Sequence, residues 1–220
     1  QALFSINSST GELTFDAAPD YENPTDSDTN NDYVVEVTAS DGTNTDVQTI
    51  TVNVTNENDN DPVITSDGGG ATASVDAAEN QTAVTTVTAT DADGQTPTYS
   101  ITGGADQALF SINSSTGELT FDAAPDYENP TDSDTNNDYV VEVTASDGTN
   151  TDVQTITVNV TNENDNDPVI TSDGGGATAS VDAAENQTAV TTVTATDADG
   201  QTPTYSITGG ADQALFSINS

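Results

Sequence analysis

Three stretches set the pattern of apolar and polar positions. They are Ala83-Val-Thr-Thr-Val-Thr-Ala-Thr, Tyr139-Val-Val-Glu-Val-Thr-Ala-Ser and Val153-Gln-Thr-Ile-Thr-Val-Asn-Val. β-Branched residues at a period close to two predict strands with one buried face. Shorter apolar runs at 63–65, 71–75, 98–101, 109–112 and 118–121 predict shorter strands. Between them stand Asp93-Gly94, Gly103-Gly104, Ser115-Thr116-Gly117 and Asp147-Gly148, which are turn signals. No segment sustains a helical period. Short strands at this spacing predict an all-β fold, a two-sheet sandwich. The expected core is Val87, Tyr99, Ile101, Phe110, Ile112, Leu119, Phe121, Tyr127, Tyr139, Val143, Ile156 and Val158.

The pattern repeats. Gln1-Ala-Leu-Phe-Ser-Ile-Asn-Ser recurs at Gln107 and Gln213, a period of 106 residues without a mismatch between copies. A period of that length is a whole domain rather than a solenoid unit. Pro62 and Pro168 each follow a polar stretch, which suits entry to an edge strand. In this phase 61–166 is one complete domain. Residues 1–60 are the C-terminal part of a preceding domain, and 167–220 the N-terminal part of a following one. Each part left alone would expose an apolar sheet face and unpaired strand edges. Together they hold the strands of one sandwich, so either the chain is a stretch of a longer continuous array or copies associate head to tail.

Charge narrows the chemistry. Of 220 residues 38 are acidic, and none is Lys, Arg or His, for a net charge of -38. Electrostatic binding to nucleic acid or anionic membrane needs basic groups, so neither is an expected partner. Cys is absent, so no disulfide or thiolate site forms, and without His zinc and copper lose their usual ligands. No apolar run reaches the roughly 18 residues of a membrane helix, and no leader pattern stands at residue 1. Without His, Cys or Lys there is no ordinary nucleophile–base pair. No carboxylate pair stands apart as a glycosidase couple. No enzyme is expected.

The acids are not spread evenly. Thr161-Asn-Glu-Asn-Asp-Asn-Asp-Pro168, and its copy Thr55 to Pro62, carry side-chain oxygens at nearly every position and no cation. Each lies between two predicted strands. Calcium takes six to eight oxygens in loose geometry, which such a linker supplies. In Asp126-Tyr127-Glu128 an extended chain sends Tyr127 to one side and both acids to the other. Asp132-Ser-Asp-Thr-Asn-Asn-Asp138 has the spacing that begins a calcium loop, but Asn137 and Val143 stand where Gly and Glu complete one. It is an extra candidate site. A lone Asp in a turn is otherwise a turn residue or a solvated charge.

Six motifs in order resemble cadherin repeats, specifically the tandem cadherin-like domains of large bacterial surface proteins and adhesins. They are Ala78-Glu79-Asn80, Asp91-Ala-Asp93, Ser115-Thr-Gly-Glu-Leu-Thr120, Asp126-Tyr-Glu128, Ala145-Ser-Asp147-Gly148 and Asn162-Glu-Asn-Asp-Asn-Asp-Pro168. The resemblance spans the chain and implies tandem Greek-key sandwiches, cadherin- or immunoglobulin-like, joined end to end. It implies up to three Ca2+ at each joint. It assigns Glu79, Asp126 and Glu128 from the upstream domain. From the linker it assigns Asn164 and Asp165 by side chain and Glu163 and Asn166 by carbonyl. Asp197 and Asp199 serve from the downstream domain. The first joint matches Asp20, Glu22, Glu57, Asn58, Asp59, Asn60, Asp91, Asp93 and Asp147. Asn162 and Asn56 stand where the family more often has Asp, so neither is expected to be an essential ligand. Asp152 is expected outside the joint.

The implied function is a calcium-rigidified spacer, stalk or fibre segment of an extracellular adhesion protein, secreted or at the cell surface. Its partners are neighbouring identical repeats, in cis or head to tail, with cell-surface or glycan ligands held by other domains. A self-assembling filament and a carbohydrate-binding module are the alternatives.

Overall fold

The computed structural model describes residues 3–219. Along the chain run β1 (Phe4–Ile6), β2 (Leu13–Phe15), β3 (Asp32–Ser40) and β4 (Thr45–Asn53). Then come β5 (Val63–Ile64), β6 (Thr72–Ala78), β7 (Ala83–Thr86), β8 (Ala89–Thr90) and β9 (Thr98–Gly103). They are followed by β10 (Phe110–Ile112), β11 (Glu118–Phe121), β12 (Asp138–Ser146) and β13 (Thr151–Thr161). β14 (Val169–Ile170) and β15 (Ala195–Thr196) come last. The fold is all-β, and the helical elements among the described residues are single 3-10 turns.

The central stretch packs a sheet of order β6-β13-β12-β9 against one of order β10-β11-β7, with a two-residue β5–β8 ladder beside them. β12 and β13, on either side of the predicted Asp147-Gly148 turn, form a long hairpin in register from Asp138↔Asn159 to Ser146↔Thr151. β6 joins β13 in parallel, from Thr72↔Thr155 to Ala78↔Thr161. Alternation works as expected on β12 and β13: Tyr139, Val141, Val143, Ile156, Val158 and Val160 point inward and are buried. Phe110 and Phe121 stack with ring centroids 4.6 Å apart, and Tyr139 meets both edge-on. Such pairs add about 0.5–1.5 kcal/mol each beyond area burial. The Tyr139 hydroxyl accepts the Thr131 N–H at 3.0 Å, so its polar end is satisfied.

Ile101, Ile112 and Tyr127 lie at the rim of this core, partly buried. Ile64, Ala77, Val141, Ala145 and Val160 join it although the sequence pattern did not single them out. The 83–90 run is two strands, because the chain leaves β11 for β5 as it passes the buried Val87. Asp152, which the sequence reading places outside the joint, is not idle: its carboxylate accepts the Ile64 N–H at 2.8 Å and pins β5.

One turn gives a sharp test. Gly117 has φ +71°, and a Cβ there would lie 2.0 Å from the Val87 carbonyl oxygen. Its repeat counterpart Gly11 has φ +74° with nothing within 4 Å. Gly117→Ala therefore adds a backbone clash to the conformational cost that Gly11→Ala carries alone. Left-handed strain costs of order 1–3 kcal/mol and overpacking about as much again. In urea unfolding Gly117→Ala should lose clearly more stability than Gly11→Ala. Equal losses would show that the Gly117–Val87 approach is not a constraint.

The identical flanking sequences fold differently because their partners differ. β3 and β4 keep their hairpin, yet Val35, Val37, Ile50 and Val52 are only half-buried. Their counterparts Val141, Val143, Ile156 and Val158 are wholly buried. Residues 178–184 repeat the sequence of β6, and 204–209 that of β9, but neither forms a strand. In the central unit β6 lies on β13 and β9 on β12, long-range partners that lie downstream in the repeat. β14–β15 forms because both of its strands lie in the same piece.

Candidate metal centre

The joint that follows β13 is built around Glu79, which sits just past the end of β6. Its side chain is buried, and each oxygen holds a different segment: Oε2 accepts the Tyr127 N–H and Oε1 the Glu163 N–H, both at 2.8 Å. The end of β6, the Asp-Tyr-Glu loop and the linker are thus tied at one carboxylate. Around it Glu79, Glu128, Asp165 and Asp199 each bring an oxygen to within 4.8 Å of the others. These come from the upstream unit, the linker and the downstream piece.

Four carboxylates at that range repel strongly. With no Lys, Arg or His in the chain, amides are the donors nearest to them. The Asn166 side chain donates to Asp199 at 2.8 Å, to Asp165 at 2.7 Å and to Glu128 at 3.1 Å. The Asn166 backbone N–H reaches the other Asp199 oxygen at 2.8 Å. Asn80 donates to Asp165 at 2.6 Å. These amides soften the repulsion, and rotating one about its last bond would offer its oxygen instead.

The electrostatics carry the same message. Burial, then the charges of Glu79 and Asp199, push the Glu128 carboxyl above its ordinary value. Burial also raises Asp199, but hydrogen bonds from Asn166 outweigh it and the net direction is down. A raised carboxyl binds its proton more tightly folded than unfolded, so Glu128 opposes folding once pH has risen through its titration range. A cation among these oxygens reverses that sign.

The first joint repeats the plan. Glu22, Asp59 and Asp93 bring oxygens within 4.8 Å of one another. Asp93 accepts the Asp59 and Asn60 N–H groups at 3.1 and 2.8 Å and the Asn60 side chain at 2.9 Å. Burial, then Asp93 and Asp59, raise Glu22. Asp147 reaches this joint from the β12–β13 turn, its carboxylate held low by the N–H groups of Asn150 and Thr149. One oxygen each on Glu22, Asn58, Asp91 and Asp147 is buried with no hydrogen-bond partner. A buried acceptor without a donor is costly, and four of them gather at this joint.

Other candidates stand differently. Asp126 and Asp20 spend their oxygens on their own turns, accepting N–H groups of Glu128 and Asn129, and of Glu22 and Asn23. Asp197 accepts the Asp199 N–H at 3.0 Å. The Glu163, Glu57 and Asn164 side chains are exposed and outside the carboxylate clusters. In the 132–138 loop Asp132 is buried, but it accepts the N–H groups of Asn136 and Asn137 and so closes the loop on itself. Sequence reading gave no site role to several joint asparagines, Asn80 and Asn162 among them. Asn150 donates to the Asn60 carbonyl at 3.1 Å, and Asn56 donates to the Asp93 carbonyl at 2.9 Å. Asn56 drew notice only as a departure from the family pattern, and Asn150 carried no signal beyond its place after Asp-Gly.

Residues 72–161 match the family model described as the cadherin domain. Solved structures agree. The protocadherin gammaB7 EC3-6 cis-dimer is 27% identical with a TM-score of 0.66, matched over 91% of this chain and 50% of that one. Mouse protocadherin-24 EC1-3 is 25% identical with a TM-score of 0.60, over 90% and 63%. The protocadherin gamma B2 extracellular cadherin domains 3-6, at 24% identity and a TM-score of 0.66, support the fold alone. The chain spans about half the length of the first of these. No curated protein matches the sequence. In fold and in its central sequence the chain is cadherin-like.

Proposed function

We propose that this chain is a segment of an extracellular array of cadherin-like domains, with 61–166 as a whole domain, whose joints are stiffened by calcium. The observation that carries the reading is the set of buried, partnerless oxygens on Glu22, Asn58, Asp91 and Asp147, beside carboxylates drawn from three segments. All are hard oxygen donors, the set calcium prefers. At the first joint Glu22, Asn58, Asp59, Asp91, Asp93 and Asp147 would hold the metal. At the second, Glu79, Glu128, Asp165, Asp199 and a rotated Asn166 would do so. Up to three ions per joint would offset most of the crowded charge. Bound calcium supplies positive charge shared by both domains and the linker, which fixes the angle between them. The role is spacing or projection, and no catalytic step is assigned to it.

Arrays of increasing repeat number should be compared by small-angle scattering in calcium and in chelator. With calcium the maximum dimension should grow almost linearly with repeat number, because identical linkers set identical angles. In chelator it should grow more slowly. The same slow growth in both conditions would overturn the reading and favour a carbohydrate-binding role, to be tested on a glycan array.

A further inference from the structure

We infer that Asp67, and with it its repeat copy Asp173, is the residue at which the folded protein converts spontaneously to isoaspartate. This goes beyond the calcium reading and does not depend on it.

The reaction needs a side-chain carboxyl beside an unhindered peptide nitrogen. Glycine hinders least, since it has no Cβ. The nitrogen of the glycine bonds to Asp Cγ, and its proton leaves with the carboxyl hydroxyl as water. Water then opens the cyclic imide. Attack at Cγ restores aspartate. Attack at the former main-chain carbonyl leaves isoaspartate, with Cβ now part of the main chain. Nothing is oxidised or reduced, and the water lost is regained.

The stretch 61–166 holds three Asp-Gly pairs, beginning at Asp67, Asp93 and Asp147, and the dipeptide alone does not rank them. Packing does. Asp93 is 8% exposed, and both of its oxygens are taken by Asp59 and Asn60. The Gly94 N–H is turned to the Asp91 carbonyl at 3.3 Å. Asp147 accepts the Thr149 and Asn150 N–H groups at 2.6 and 2.7 Å, while the Gly148 N–H donates to the Ser146 hydroxyl at 3.1 Å. In both pairs the carboxyl and the nitrogen that must meet are each held by another group.

Asp67 is held less. Its carboxylate accepts from one side-chain hydroxyl, that of Thr85, at 3.1 Å from each oxygen. Its backbone is left-handed, with φ +50° and ψ +35°, a conformation that suits glycine better than a residue with a Cβ. Gly68, Gly69 and Gly70 are exposed, and a Cβ on Gly68 would meet nothing within 4 Å. Asp173 repeats the arrangement, with φ +52° and the Thr191 hydroxyl at 3.0 and 3.1 Å.

The turn matters to the fold. It carries the chain from β5 to β6, closed by the Gly69 N–H on the Ser66 carbonyl at 2.9 Å. The buried Gln154 side chain donates to the Gly70 carbonyl at 2.9 Å. An extra main-chain carbon at residue 67 puts these contacts out of register and loosens β5 from the lead into β6. The site recurs once per period, so an array gathers the change in proportion to its length.

The full chain should be kept for weeks at physiological temperature and neutral pH, in calcium and in chelator, then unfolded and cut after Glu. The isomers share a mass, separate by chromatography and are placed by electron-based fragmentation. Heavy-oxygen water marks those that passed through the imide. Identical repeats give identical peptides, so Asp67 is read with Asp173, and Asp147 with Asp41, which its own turn holds in the same way. In the folded chain isoaspartate should gather several-fold faster at Asp67 than at Asp93 or Asp147, with calcium and without. In strong urea the three rates should draw together. Replacing both hydroxyls, Thr85→Val with Thr191→Val, should speed the reaction at Asp67 and leave Asp147 unchanged. The inference is overturned if Asp93 or Asp147 keeps pace with Asp67 in the folded chain, if the lead of Asp67 persists in urea, or if the valine variant ages no faster there.

Discussion

Calcium added to the chelated protein should raise its melting temperature by on the order of 10 °C. A ligand bound only by the native state stabilises it by about 2.7 kcal/mol at 100 times its Kd. One kcal/mol moves the midpoint of a domain near 100 residues by about 4–8 °C. The chelated state should start low because Glu79, Glu128, Asp165 and Asp199 crowd one joint, and Glu22, Asp59 and Asp93 the other. Magnesium should do less at equal concentration, since it keeps its water and demands a tighter octahedron. The calcium effect should fade as pH falls through the carboxylate range, because protons compete for the same oxygens. A melting temperature that does not move up to millimolar calcium would refute the metal reading.

The second large effect is local. Asp199→Ala should abolish calcium binding at the joint after β13 and spare the joint before β5. Asp199 accepts from Asn166 through both of its oxygens and anchors the downstream end of the cluster. Titration calorimetry should lose about half of the bound calcium, since metal affinity resides in the deprotonated ligands of each joint. Asp182→Ala, at an exposed acid in the same piece, should change nothing. Asp152→Ala is a poor control, because it also removes the acceptor for the Ile64 N–H. An unchanged stoichiometry in Asp199→Ala would remove Asp199 from the site.

The comparison of sequence with structure divides by range. β12 and β13 were legible because nine-residue alternation around Asp147-Gly148 encodes a hairpin locally. The carboxylates of the joints were legible as motifs, and four that the resemblance assigned do converge after β13. Val141 was hidden in Tyr139-Val140-Val141, where adjacent apolar residues blur the period. Ile64 was hidden because a two-residue strand has no period. The turn-capping duty of Asp126 and Asp20 was not legible either, since Asx turns and metal sites call for the same residue. Residues 178–184 show the limit most plainly. Their sequence is that of β6, yet without the β13 counterpart they form no strand.

The parallel β6–β13 pairing bears on what happens when an array is pulled from its two ends. Tension enters the central unit near Val63 and leaves after Thr161. The two-residue β5–β8 ladder should yield first, leaving the load on β6 at its beginning and on β13 at its end. Because these strands run parallel over seven residue pairs, the opposing pulls slide one along the other. Their hydrogen bonds are stretched together in shear instead of opening one at a time like a zip. The same pairing lies beside Glu79, whose carboxylate holds the linker just past the end of β13. On the calcium reading proposed above, a bound ion at that joint would brace the strand that bears the load, so the segment would resist being drawn out as well as being bent.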